Sequence, residues 1–180
     1  MLDAVLGRWT RSALSAAALW LPLKPWMFSV AALVLGLAAL PAIYLGAYRV
    51  SIGLLLASRP LSILATTKAR AVGDIDMLAG NCLFDVVVFS GVPFAFALGD
   101  PTRALAAVFL IFAMSVNTAS QFAFADADGP GRGLIGNLEI LIGFGLACVF
   151  PDQFPLVAYV LGVLCFVAAG MRIAPVKGSL

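Results

Sequence analysis

An all-α integral membrane protein, with six transmembrane helices behind an amphipathic interfacial helix, is the fold class that the sequence predicts. Three observations predict it. Of 180 residues 63% are apolar and only 11% charged, with a mean hydropathy of +1.08. Soluble domains carry about 25% charged residues, so the solvent for this chain is a bilayer. Second, six windows approach the roughly 20 apolar residues that one crossing needs. Third, the bases are unevenly shared between the connections.

Taken in order, residues 1–24 precede the first span. At 100° per residue Leu2, Val5, Leu6, Trp9, Ala13 and Trp20 share one stripe, while Asp3, Arg8, Arg11 and Ser15 point away, the pattern of a helix lying in the membrane interface. A cleaved signal peptide is the rival reading, and it is disfavoured because Lys24-Pro25 follows with no soluble domain to export. The six-helix domain is expected over 25–175, with 176–180 as a cytoplasmic tail. Its windows run Trp26 to Tyr48, Val50 to Thr67, Leu78 to Leu98, Arg103 to Ala125, Gly133 to Phe150 and Phe154 to Ile173. The fifth is short. "GDPTR", "DADGPGRG" and "PDQFP" supply turn chemistry after the third, fourth and fifth.

If the N-terminus and the even-numbered connections share a face, that face holds Arg8, Arg11, Lys24, Lys68, Arg70, Arg132, Arg172 and Lys177, against Arg49 and Arg103 opposite. Positive charge concentrates on the cytoplasmic side of membrane proteins, so both termini are expected there, in a bacterial inner membrane.

Composition also excludes. With no histidine in the chain, Ser-His triads, imidazole zinc sites and His-ligated haem fall away. Scattered bases and a formal charge of +2 give no footprint for nucleic acid. Cys82, Cys148 and Cys165 are odd in number and lie in apolar runs, as packing residues do. Gly131, Gly133 and Gly136 fit the dinucleotide fingerprint but follow no strand, and "DADG" at 126–129 puts Asn137 where a calcium loop needs Glu. Ala42 with Gly46, and Gly91 with Ala95, have the small-residue spacing of close helix packing.

Arg59, Asp85 and Glu139 fall inside apolar windows. An ionisable side chain there costs a few kcal/mol unless paired or wet, so these residues either serve a function or pair with one another to hold helices together.

The stretch "LSILATTKARAVGDIDMLAGNCLFDVVVFSG", 61–91, resembles the core of the CDP-alcohol phosphatidyltransferases, six-helix membrane enzymes with the signature D-x-x-D-G-x-x-A-R-x8-G-x-x-x-D-x-x-x-D. "KPWMFSVAALVLGL" resembles their entry into the first helix, and the later helices are similar over essentially the whole chain. The resemblance implies two divalent cations, Mg²⁺ or Mn²⁺, held by aspartates, with the last aspartate deprotonating the acceptor alcohol. Here the signature has decayed. Laying Ala69-Arg70 on the family's A-R puts Ser62, Ala65 and Asn81 at aspartate positions and leaves Asp85 as the last one, with the interval from Arg70 to Asn81 about two residues short.

Hard cations ask for anionic oxygens, and three of the four implied carboxylates are missing. We therefore expect a catalytically degenerate homologue without a metal cofactor, serving as a non-catalytic subunit. Its expected partners are membrane lipids and another membrane protein, whether a second copy, an active paralogue or a larger complex. Lys68 and Arg70 are the candidate phosphate contacts. The alternative is an active enzyme with Asp85 as base and Asp74 or Asp76 recruited as metal ligands; a further one is a small transporter using Arg59, Asp85 and Glu139.

Overall fold

The computed structural model describes residues 24–123 and 137–173. Six α-helices run through them: α1 Pro25–Tyr44, α2 Tyr48–Val72, α3 Ile75–Gly99, α4 Ala104–Ala123, α5 Asn137–Val149 and α6 Phe154–Ile173. There is no strand among the described residues. Five of the helices are long and apolar enough to cross a membrane, and α5, at 13 residues, is shorter. The amphipathic segment expected at 1–24, apart from Lys24, the "DADGPGRG" turn and the tail at 176–180 lie outside the described residues.

Local chemistry sets the helix ends. Pro25 opens α1, where its missing N–H is of no consequence. Gly46, at φ 75°, turns the chain between α1 and α2, a left-handed conformation that costs glycine nothing. This corrects its expected role: Gly46 lies beyond α1, a Cβ there would meet nothing within 4 Å, and it makes a turn instead of a helix contact. Gly73, also at φ 75°, caps α2, and Asp74 then caps α3 by accepting from the Met77 amide at 3.0 Å. Asp100 does the same for the 3₁₀ turn Pro101–Arg103.

The short connections make α1, α2, α3 and α4 successive antiparallel neighbours. α1 packs on α2 and α3, α4 on α3 and α6, and α5 on α2 and α6. Along α2 the buried residues are Ser51, Leu55, Ser58, Ser62, Ala65 and Ala69. Their alternating steps of four and three keep one mostly small-residue seam against the bundle, which lets backbones approach in the absence of a hydrophobic drive. Gly36 and Gly91 serve α1 and α3 similarly. A Cβ on Gly36 would stand 2.6 Å from Val88, and one on Gly91 2.7 Å from Leu40. At the end where α3 finishes and α6 begins, Tyr48, Phe96 and Phe154 stack in sequence, with centroids 5.8 and 4.4 Å apart.

Candidate functional site

The sequence-predicted residues converge on the facing sides of α2 and α3. Asn81, Asp85 and Phe89 are four residues apart, so they line one face of α3. Arg59, Ser62 and Thr66 face them from α2. The Arg59 guanidinium donates through Nη2 to Asp85 Oδ1 and lies 4.7 Å from the centre of the Phe89 ring. Ser62 Oγ donates to the same carboxylate, 3.2 Å from Oδ1. Asn81 Nδ2 shares its two hydrogens among Thr66 Oγ1 at 2.6 Å and Ser62 Oγ and O, both at 3.2 Å. Because the Ser62 carbonyl can only accept, the amide nitrogen of Asn81 must face the cluster, and its oxygen does not.

Depth gives these contacts their weight. Arg59 lies about 17 Å along α2 and Asp85 about 15 Å along α3 at 1.5 Å per residue, near the middle of two 25-residue helices. Their side chains are only 16% and 20% exposed, and Ser62 and Asn81 are buried. At an effective dielectric near 20 the ion pair attracts by about 4 kcal/mol at ~4 Å, which offsets the cost of holding each charge in the membrane. Pro60 follows Arg59 directly, so the helix there lacks the N–H that would bond the Leu56 carbonyl.

Beside the cluster is a cleft of about 10 Å³ lined by Ala32, Ser58, Arg59, Asn81, Phe84 and Asp85, room for roughly one water. The donors do not fit a hard divalent cation. Mg²⁺ asks for about six oxygens near 2.1 Å. Here Ala65 has no donor, Asn81 presents nitrogen, Ser62 offers one neutral oxygen that already accepts from Asn81, and a guanidinium holds the carboxylate. At ~5 Å and a dielectric near 20, a fixed Arg charge would repel a doubly charged ion by roughly 6–7 kcal/mol.

The remaining sequence candidates disperse. Lys68 and Arg70, expected in a loop, are on the last turns of α2, because that helix runs on to Val72. Two residues apart on a helix they do not share a face. Lys68 Nζ stands 5.5 Å from the Phe28 ring centre, and Arg70 is exposed. Asp74 is spent as the α3 cap, and Asp76 is exposed in the first turn. Eleven residues separate Asp74 from Asp85, about 16 Å of axis. Among the described residues no three Asp, Glu or Cys side chains group as metal ligands would. Glu139 is in the first turn of α5.

Sequence reasoning missed a second polar contact. Arg172, in the last turn of α6, donates through Nη1 to Asn117 Oδ1 at 2.7 Å and Ser120 Oγ at 3.0 Å on α4, both residues buried. An Asn inside an apolar run was the available signal, but nothing in the sequence ties it to an arginine 55 residues away.

No family model matches the chain, and no solved structure matches it. Inner membrane protein YnjF of Escherichia coli (strain K12) is 32% identical over 158 residues, 77% of this chain and 76% of the relative. The chain belongs to the YnjF family. With five apolar helices of spanning length, this YnjF relative is a multi-pass protein of a bacterial inner membrane.

Proposed function

We propose that the chain is a catalytically degenerate relative of the CDP-alcohol phosphatidyltransferases that acts as a non-catalytic membrane subunit, binding lipid or assembling with another membrane protein. In this reading α5 completes a sixth crossing, and both termini are cytoplasmic. The orientation is supported by Lys24, Lys68, Arg70 and Arg172, which fall at the end of the bundle where α2 stops and α3 starts, while Arg49 and Arg103 fall at the other.

One observation carries the functional reading: the Asp85 carboxylate, the only signature aspartate retained, is engaged by Arg59 and Ser62. An ion pair to a guanidinium and a hydrogen bond from a hydroxyl both stabilise an ionised carboxylate and so weaken it as a proton acceptor. With its negative charge compensated in this way and no carboxylate at 62, 65 or 81, the pocket offers nothing to brace a transferring diphosphate.

The test is CMP release by the purified protein with CDP-diacylglycerol, Mn²⁺ and a panel of alcohols. We expect background rates, equal to those of Asp85→Asn. Turnover that Asp85→Asn abolishes would overturn the proposal. Co-purification from the native membrane with another membrane protein at fixed stoichiometry is the positive expectation.

A further inference from the structure

The mismatch between the donor set and a divalent cation has a specific origin. Removing carboxylates weakens a metal site, but it also leaves behind any carboxylate that survives, uncompensated and deep in the membrane. Asp85 is that carboxylate, and the positive charge beside it is supplied by the chain itself. We infer that Arg59 is the resident counter-ion of this pocket: its guanidinium takes the coordination space of Asp85 that a cation would need and excludes divalent metal from the cleft. The inference rests on the proposed kinship, since it is that kinship which implies a metal here at all.

Four features of the site converge on this role. The Arg59 Nη2 group bonds Asp85 Oδ1, the oxygen to which Ser62 Oγ also donates at 3.2 Å, so one carboxylate oxygen is doubly engaged. The guanidinium also lies over the Phe89 ring, its carbon 4.7 Å from the ring centre, a contact that favours a planar, weakly hydrated cation over a hydrated metal ion. Asn81 turns N–H groups toward Ser62 and Thr66, which occupies one lone pair of each hydroxyl and keeps the amide oxygen out of the cluster. The cleft takes about one water, so a cation seated in it would have to give up most of its hydration shell, which Mg²⁺ does reluctantly.

The experiment compares Mn²⁺ binding, read by electron paramagnetic resonance of the free ion in detergent solution. It uses the wild-type chain, a variant with Ser62→Asp, Ala65→Asp and Asn81→Asp, and the same variant with Arg59→Gln. We expect no binding to wild type, and binding at least about a hundredfold weaker with Arg59 kept than with it replaced, a lower bound because the side chain can swing away from the ion and salt screens the repulsion. Equal affinity in the two variants, or Mn²⁺ bound by wild type, would overturn the assignment. Should the four-site variant not fold, Asn81→Asp with and without Arg59→Gln decides: the melting temperature should rise with added Mn²⁺ only where Arg59 is replaced, and equal responses would overturn the assignment. Wild type that is silent in the CMP assay yet binds Mn²⁺ removes only this inference. Wild type that releases CMP removes the proposed function.

Discussion

Asp85→Asn changes one charge and almost no volume. The amide can still accept from Ser62 and from Arg59, so the perturbation isolates the electrostatics of the pair. What it leaves is a guanidinium 16% exposed, near the middle of α2, with neutral partners. A lone Arg at mid-membrane costs about 2.5–3.5 kcal/mol on insertion scales, and breaking a fully buried pair costs about 3–5 kcal/mol. Some access to water lowers both figures, and we expect a loss of about 2–3 kcal/mol. For a chain of this size that is roughly a 5–10 °C fall in melting temperature.

The assay is a double-mutant cycle in mild detergent, with Asp85→Asn, Arg59→Met and the two combined, read by thermal or SDS-induced unfolding. The double variant should be less destabilised than the sum of the two singles, by a coupling of about 1–3 kcal/mol. Single variants as stable as wild type, or a double variant as unstable as the sum of the singles, would refute the view that Asp85 and Arg59 compensate each other.

Arg172→Met should lower stability by about 1–2 kcal/mol through loss of the bonds to Asn117 and Ser120, measured in the same unfolding assay, with Asn117→Ala not adding to it. Gly36→Ala should cost about 1–3 kcal/mol, because β-branched Val88 cannot swing away, whereas Gly53→Ala, where a Cβ meets nothing within 4 Å, should be neutral or stabilising by up to about 1 kcal/mol. The Asp100 carboxyl is held below its usual 3.8, first by the Thr102 hydroxyl, then by the Thr102 amide and Arg103. A depressed carboxylate contributes stability above its unfolded value, and that contribution goes as pH falls through the folded value. Amide exchange at Thr102 and Arg103 should therefore accelerate below about pH 4, and Asp100→Asn should remove this pH dependence.

Much of the helical layout was legible because apolar run length and turn residues are local properties. The window Phe154 to Ile173 matches α6 residue for residue, and "GDPTR" marks the turn that Asp100 caps. The second window stopped at Thr67 because hydropathy falls at Lys68 and Arg70, yet α2 continues to Val72: backbone hydrogen bonding does not end where apolarity does, and Gly73 supplies the stop. The seam of small residues on α2 was equally present in the sequence, at steps of four and three. Arg59 and Asp85 were visible as charges out of place. Their pairing was one of two open readings.

The sequence by itself determined the solvent, the helices and the set of side chains available for chemistry, since composition and short-range periodicity need no knowledge of what touches what. Only the tertiary structure decided which polar groups meet: Arg59 with Asp85 across 26 residues, and Arg172 with Asn117 across 55. Those meetings depend on helix rotation and axial register, which the backbone takes from close contacts such as Gly36 on Val88 and Gly91 on Leu40. A hydrogen bond reaches only about 3 Å, so rotating α2 by one residue, about 100°, would leave every helix in place and separate the charges.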